Sequence, residues 1–211
     1  MRGQQVKRQI IPVGELGENC VILWQDPAQA IIVDPGSEGE GLVAFCTEKG
    51  LTPACILLTH AHFDHIGGIP ALLAKWPGLP VHLASADEAV FVSPLNVWPP
   101  EYEKVARPAT LTLDLAEGTS FAFGGLSLTV LATPGHTPGS VCYHFPAEHL
   151  LVSGDTLFAG SCGRTDFPGG SPEQMRASLA RLAKLPPETM VIPGHGMPTT
   201  IGREVESNPF M

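Results

Sequence analysis

The sequence has no Cys-x-x-Cys pair, no cluster of basic residues and no apolar run of transmembrane length. Without paired cysteines, a disulfide framework and a thiolate-based structural zinc site are both disfavoured. The scattered cysteines favour a reduced, cytoplasmic setting. The apolar segment after the N-terminus is short and interrupted, so we expect no secretory signal. The lack of a long apolar run leads us to expect no membrane partner.

Basic residues are also scarce compared with acidic ones. The 12 Lys and Arg residues are outnumbered by 21 Asp and Glu residues, and the formal net charge is −9. Phosphate backbones and anionic surfaces repel such a chain, so we expect a small-molecule partner and no nucleic acid. A length of 211 residues accommodates one substantial core. Because nothing marks a linker, we predict a single domain over residues 1–211, with no prediction of oligomeric state.

Glycine and proline, by contrast, are abundant, with 23 and 21 copies. They are interleaved with apolar segments, which is typical of short elements joined by tight turns. The pattern predicts strands over 6–13, 20–25, 29–33, 55–59, 81–83, 120–123, 126–131, 141–145, 150–153 and 190–193. It predicts helices over 42–49, 69–76, 86–92 and 172–185. Two strand-rich halves suggest two facing sheets that helices cover on the outside.

The segment 93–109 does not follow this pattern, since it is rich in proline and poorly periodic. A plain surface connection is slightly favoured over a loop that edges a pocket. Trp98 and Tyr102, together with Phe158, would wall such a pocket, although aromatics at such positions more often belong to the core or its rim.

The sharpest feature is the run His60-Ala61-His62-Phe63-Asp64-His65, which directly follows a predicted buried strand. Three histidines so close together repel one another when protonated, and the group costs desolvation when buried. A divalent cation offsets both costs. Imidazole and carboxylate ligands without thiolates suit Zn²⁺, Fe²⁺ or Mn²⁺ in a catalytic site.

Three more candidate ligands, His136, Asp155 and His195, lie beside glycines just after apolar strands. Loops at strand ends commonly build sites on a rigid scaffold, and glycine lets the backbone approach an ion closely. The other histidines, His82, His144 and His149, lack this context and are interpreted as ordinary structural residues.

The order of these residues resembles the metallo-β-lactamase superfamily, and the resemblance spans most of the chain. Several segments are similar to the glyoxalase II group within it, above all to short bacterial glyoxalase II-like hydrolases. The similar segments are 133–139, 154–158, 163–167, 193–196 and 208–210. The resemblance implies an α/β fold, an αββα sandwich of two mixed sheets flanked by helices. It also implies that the chain lacks the C-terminal helical region with which longer glyoxalase II enzymes bind glutathione.

The resemblance further implies a binuclear site with two divalent ions, zinc first, with iron or manganese as alternatives. One ion would be held by His60, His62 and His136, and the other by Asp64, His65 and His195. Asp155 would bridge the two ions together with a hydroxide. Asp64 would also act in catalysis by orienting that hydroxide.

The function that this implies is metal-dependent hydrolysis of a thioester such as S-D-lactoylglutathione. A thiolate leaves readily, so no separate general acid is required. Three alternatives stay open: an iron-dependent persulfide dioxygenase, a lactonase or β-lactamase-type hydrolase on the same site, and a metal-binding scaffold without hydrolysis.

Substrate contacts are harder to identify from the sequence. Arg164 could meet a substrate carboxylate as a bidentate donor, or equally could form a structural pair with Asp166. Cys162 has no visible activating base, so we interpret it as a bystander thiol rather than a nucleophile.

Overall fold

Two six-stranded sheets face each other in the computed structural model, which describes residues 6–25, 29–93, 96, 103–123 and 125–211. The first sheet has the order β1 (Lys7–Val13), β2 (Glu18–Gln25), β3 (Gln29–Val33), β4 (Thr52–Leu57), β5 (Val81–His82) and β6 (Leu111–Thr112). The second has the order β14 (Thr199–Thr200), β13 (Met190–Pro193), β10 (Leu150–Gly154), β9 (Val141–Phe145), β8 (Leu126–Ala132) and β7 (Ser120–Phe123). A separate hairpin joins β11 (Leu157–Phe158) to β12 (Ser161–Cys162).

Both sheets are mixed. In the first sheet β3, β4 and β5 are parallel neighbours, whereas β1 and β2 form an antiparallel ribbon. In the second sheet β10 pairs with β13 in parallel and with β9 antiparallel. Because β8 is antiparallel to β9, strands β8, β10 and β13 all run in one direction. Their carboxyl ends therefore lie at one edge of the sheet.

The helices are short and carry local signals at their ends. They are α1 (Gly39–Glu48), α2 (Phe63–Ile66), α3 (Ile69–Lys75), α4 (Glu88–Phe91), α5 (Pro172–Leu182) and α6 (Ile201–Ser207). The hydroxyl of Ser171 accepts a hydrogen bond from the Gln174 amide at the start of α5, which is a standard N-cap. None of the helices in the described ranges combines the length and apolar composition needed to cross a membrane.

The strands alternate between three hydrophobic layers. In β2, Cys20 and Ile22 belong to the layer beneath α1 and α3, whereas Val21 and Leu23 belong to the layer between the sheets. In the second sheet Leu151 packs against α5 and its neighbour Val152 faces the first sheet. Burial on both faces stabilises the sandwich by roughly 1.5–3 kcal/mol for each large aliphatic side chain.

Tyr143 links the two sheets with a polar contact inside the middle layer. Its ring is fully buried on β9, and its hydroxyl donates a hydrogen bond to the carbonyl of Leu58. Leu58 comes immediately after β4, so this contact fixes the start of the histidine-rich run against the second sheet.

The predicted αββα sandwich of two mixed sheets flanked by helices is confirmed. The strand predicted over 55–59 lies instead at Thr52–Leu57, because the Thr59 amide leaves the ladder and donates to Asp34. Short elements such as α2, α6 and the β11–β12 hairpin were not predicted. Trp98 and Tyr102, proposed as pocket aromatics, lie outside the described residues. The described cysteines all carry free thiols.

Candidate metal centre

The predicted ligands meet where strands of both sheets end. The first three histidines follow β4, while His136, Asp155 and His195 follow β8, β10 and β13 respectively. The backbone at Asn19 holds the last of these loops in place, because its amide donates to the carbonyl of Gly194. The structure therefore brings together every metal ligand predicted from the sequence.

We call His60, His62 and His136 the first ligand set. His62 Nδ1 lies 2.9 Å from His136 Nε2, and the His60 ring centroid is 4.8 Å from those of both other residues. One ligand atom from each of the three residues lies within 4.8 Å of the others. This spacing is compact enough for one ion.

Asp64, His65 and His195 form the second ligand set. His195 Nε2 is 3.2 Å and His65 Nε2 is 3.8 Å from Asp64 Oδ2. Asp155 lies between the two sets. Its Oδ1 is 3.5 Å from His65 Nε2, and its Oδ2 is 3.5 Å from His136 Nε2. A carboxylate in this position can contact ions held by both sets.

Hydrogen-bond partners outside the cluster determine which ring nitrogen of His65, His136 and His195 faces inward. His65 Nδ1 lies 3.0 Å from Asp34 Oδ2, His136 Nδ1 donates to the Arg164 carbonyl at 2.7 Å, and His195 Nδ1 donates to the Leu16 carbonyl at 3.1 Å. Such outer partners orient metal-ligating imidazoles. The inward nitrogen of each ring is thereby left for the centre of the cluster.

Three inward atoms are buried without a hydrogen-bond partner: His60 Nε2, His65 Nε2 and Asp155 Oδ1. Buried polar atoms are normally satisfied, and leaving one unpaired costs about 1–3 kcal/mol. Several such atoms within one cluster fit bound cations, with nitrogen and oxygen donors that suit zinc, iron or manganese.

The electrostatics of the cluster differ between its two ligand sets. Burial and the neighbouring imidazoles keep the pKa of His60 well below its usual value, and the same causes lower the pKa of His62 to about 4. Burial raises the pKa of Asp155, but His65 and the other nearby histidines outweigh it and hold the pKa below its ordinary range. His60 and His62 are thus neutral imidazoles and Asp155 is an ionised carboxylate. Burial lowers the pKa values of His65 and His195, but the carboxylates of Asp64 and Asp155 outweigh it and raise both.

Asp34 supports the cluster from behind and was missed by the sequence reasoning. One carboxylate oxygen accepts from the Thr59 amide at 2.7 Å, and the other accepts from the Thr59 hydroxyl and lies near His65. Its backbone has a φ of 48°, which is rare outside glycine. The available signal was its position directly after β3, the same placement that marked the ligands.

Glu18 is a second unpredicted neighbour of the cluster. Its carboxyl is buried, neither oxygen has a hydrogen-bond partner, and Oε1 lies 3.7 Å from His65 Nδ1. Burial raises the pKa of Glu18 well above its ordinary value, and His65 only partly opposes this shift. No sequence signal distinguished this residue from an ordinary turn glutamate.

Asp87 joins the two loops that carry the first ligand set. Its carboxylate accepts hydrogen bonds from the amides of Ala61 and Gly139 and from the Thr137 hydroxyl. The sequence placed it only in a short predicted helix, because its partners lie up to 52 residues away.

We expect Asp87→Ala to lower the free energy of unfolding by about 3–5 kcal/mol, because it leaves the buried amides of Ala61 and Gly139 without a partner and removes one partner of the Thr137 hydroxyl. Urea denaturation monitored by circular dichroism measures this change. Glu88→Ala removes the adjacent carboxylate, which is half-buried and paired with Arg107 at the surface, and should lower the free energy of unfolding by at most about 1 kcal/mol. Equal stability of the two variants would contradict the role assigned to Asp87.

Glycine at position 194 is required by the close approach of Asp155. A Cβ added there would overlap Asp155 Oδ1 and lie 2.9 Å from His65 Cε1. Gly194→Ala is therefore expected to push two ligands apart and weaken metal binding by about 10- to 100-fold. Gly78→Ala, whose added Cβ meets nothing within 4 Å, is the control. Equilibrium dialysis against zinc compares them, and equal affinities would refute the prediction.

A cavity of about 730 Å³ opens beside the first ligand set and includes His62 in its wall. Arg164, the predicted substrate contact, stands on its rim. Its Nε and Nη2 both donate to the Asp166 carboxylate at 2.7 Å. The structure thus contains the Arg164–Asp166 pair that was the alternative to a substrate contact.

The remaining candidates lie apart from the ligands or have ordinary partners. His82 pairs with Asp114, and His149 lies 3.5 Å from Glu188. His144 is part of strand β9. Burial raises the pKa of the Cys162 thiol, which disfavours a nucleophilic thiolate.

Comparison with known sequences places the chain among metallo-hydrolases. The family model described as the metallo-beta-lactamase superfamily matches residues 13–195. A probable metallo-hydrolase, YqgX of Bacillus subtilis, is 41% identical over 95% of both chains. The hydroxyacylglutathione hydrolase GloC of Haemophilus influenzae is 34% identical over 96% of this chain and 97% of its own.

Two solved structures are similar over almost the whole chain. The BLEG-1 B3 metallo-beta-lactamase superposes with a TM-score of 0.89 at 38% identity, covering 97% of this chain and 99% of its own. TTHA1623, solved in a di-iron-bound form, gives a TM-score of 0.85 at 40% identity and covers 96% and 100%.

Proposed function

The chain belongs to the metallo-β-lactamase superfamily, and from this premise we propose that it hydrolyses thioesters of the S-D-lactoylglutathione type. The superfamily is one of metal-binding hydrolases, so the proposal concerns the bond cleaved and the substrate. The full-length similarity to a hydroxyacylglutathione hydrolase supports the proposal.

The observation that carries the choice of a thioester is the composition of the cavity wall. Among the described residues of that wall, the titratable side chains are His62, which faces the ligand cluster, and Arg164, which is paired with Asp166. Neither is placed to protonate a departing amine. A thiolate, whose conjugate thiol has a pKa of about 8.5, leaves without such a proton.

We propose that the two ligand sets each hold a divalent ion and that Asp155 contacts both. When bound, the two metal ions would supply a Lewis acid for the carbonyl and a nucleophile derived from water at neutral pH. Asp64, which lies 3.2 Å from His195 Nε2, would accept a hydrogen bond from the attacking water. Zinc is the proposed metal, with iron and manganese as competitors, and the di-iron form of TTHA1623 favours including iron in any test.

β-Lactam hydrolysis is the second candidate function, because a B3 metallo-beta-lactamase is 38% identical over nearly the full length. The same ligand sets would hold the ions that supply a Lewis acid for a lactam carbonyl. The absence of an acid on the described cavity wall makes the amine leaving group harder to expel, so we rank this activity below thioester hydrolysis.

The deciding experiment combines metal analysis with a substrate panel. Protein reconstituted with zinc, iron or manganese would be assayed on S-D-lactoylglutathione, a cephalosporin, a lactone and glutathione persulfide, the last with oxygen uptake. We expect two ions per chain and turnover of the thioester above the metal-free control. Exclusive turnover of the cephalosporin or lactone would refute thioesterase function, and sulfite formation with one iron would indicate a persulfide dioxygenase instead.

The setting and partners are part of the same proposal. Free thiols at all five cysteines support a reduced, cytoplasmic location. A small-molecule thioester is the proposed partner, and the acidic charge of −9 disfavours nucleic acid and anionic membranes. Residues 1–211 remain our prediction for a single domain.

A further inference from the structure

We propose that the cavity beside His62 holds the acyl group of the thioester and selects apolar acyl groups larger than lactoyl. This inference rests on the proposed thioesterase function. The cavity is continuous with the first ligand set, because His62 contributes both to its wall and to the cluster. A substrate whose carbonyl lies at the cluster therefore has one substituent directed into this space.

The described wall of the cavity is mainly apolar. It is built by one residue of the ligand run, by the helix that begins at Glu88 and the turn before it, and by the loops after β8 and β12. These contribute Phe63, Ala86, Ala89, Val90, Pro138 and Phe167. Such a lining favours hydrocarbon, since each methylene removed from water contributes up to roughly fourfold in affinity.

The polar residues on the wall are largely engaged elsewhere. Asn96 uses its amide oxygen to accept from the Phe63 amide at 2.9 Å and its amide nitrogen to donate to the Ala61 carbonyl. Arg164 donates through two of its nitrogens to Asp166. A hydroxyl on the acyl group would thus lose water without gaining a dedicated partner at these groups.

Phe167 forms a rigid apolar surface next to the cluster. Its ring packs edge-on against His62, with centroids 5.7 Å apart at 88°, and the Arg164 guanidinium stacks over it at 3.9 Å. Contacts on two sides hold the Phe167 ring beside the place where the acyl chain of a substrate would extend from its carbonyl. This geometry suits an extended hydrocarbon better than a branched hydroxyacid.

The thiol side of the substrate belongs outside this space. Glutathione carries two carboxylates and an ammonium group, and the described wall offers one guanidinium that is already paired with a carboxylate. Burying these charges there would be costly. A cavity of about 730 Å³ lies within the usual range for small-molecule sites, and a lactoyl group would fill only a small part of it.

The first test varies the acyl group while keeping the carrier constant. Metal-reconstituted protein would be assayed on acetyl-, lactoyl-, butyryl- and hexanoylglutathione. We expect kcat/KM to rise by about two- to fourfold for each added methylene and hexanoyl to exceed lactoyl by more than tenfold. A flat or falling series, with lactoylglutathione still hydrolysed, would overturn the inference while leaving the proposed function intact.

A filled cavity should remove this selectivity. Ala89 lies on an exposed turn of helix and faces the cavity, so Ala89→Leu occupies space without changing the core. It is expected to lower the ratio of hexanoyl to acetyl kcat/KM by at least fivefold. Ala177→Leu makes the same change at an exposed position of α5 outside the wall of this cavity and should keep the wild-type ratio. Equal ratios in the two variants would contradict the assignment.

Binding of S-alkylglutathione thioethers tests the cavity assignment independently of the proposed thioesterase activity. S-methyl- and S-hexylglutathione are not hydrolysed, and calorimetry measures their affinity for the metal-loaded protein. We expect S-hexylglutathione to bind at least tenfold more tightly, and Ala89→Leu to reduce this difference. Equal affinities would overturn the inference. Tighter S-hexylglutathione binding without turnover of any thioester would support the cavity assignment and refute the thioesterase proposal.

Discussion

Asp155→Asn is expected to lower kcat/KM for the best thioester by about 10³-fold or more and to reduce the metal content below two ions per chain. Asp155 is the group that both ligand sets share: its two oxygens lie 3.5 Å from inward nitrogens of His65 and His136. An amide keeps the shape but loses the negative charge that two cations require. Steady-state kinetics with elemental analysis of the same samples measures both effects.

The matched control is Asp114→Asn. Asp114 also faces a histidine, with Oδ1 2.9 Å from His82 Nδ1, but it lies outside the ligand cluster. We expect this variant to keep wild-type metal content and kcat/KM. Circular dichroism checks that both variants fold correctly. An Asp155→Asn protein with two ions and full activity would refute the proposed centre.

Removal of the metal is expected to lower the thermal midpoint by about 5–10 °C. Ligand present at 100 times its dissociation constant stabilises the folded state by about 2.7 kcal/mol, and each kcal/mol corresponds to roughly 2–4 °C for a chain of this size. The unpartnered atoms of His60, His65 and Asp155 are the physical source of this dependence. Differential scanning calorimetry with and without a chelator provides the measurement.

The effect should be reversible and specific to the cluster. Adding zinc back is expected to restore the midpoint in the wild-type chain. In a His60→Ala, Asp155→Ala double variant the chelator should have little effect, since most of the coupling between metal and folding is lost. A wild-type midpoint that is insensitive to chelator would show that the cluster does not bind a stabilising ion.

The sequence predicted the layer architecture and the ligands because both depend on local patterns. The continuous apolar run Cys20, Val21, Ile22 and Leu23 is typical of a strand buried on both faces, and the structure distributes these residues between two layers. The histidine-rich run was identifiable because so many ligand types at one strand end have few structural explanations. Glycines beside the ligands added to this signal, as Gly194 illustrates.

The supporting residues could not be predicted in the same way. In the sequence Asp34 and Asn96 look like ordinary loop residues and Asp87 like a helix residue. Their functions depend on partners brought close only by the packing of distant segments. The Asp87–Gly139 hydrogen bond spans 52 residues. For Arg164 the sequence left two interpretations open, an anion contact and a pair with Asp166, and the fold contains that pair.

The hydrogen bond from Tyr143 to Leu58 has a consequence for how damage to this protein would first become apparent. It connects the second sheet to Leu58, which lies just before the first ligands in the chain. The docking of the two sheets and the geometry of the cluster therefore change together. Tyr143→Phe would remove only this tie and keep the ring. If the two sheets then separate in part, the protein should release metal before any strand unfolds. Bound metal would therefore report how well the two sheets are docked.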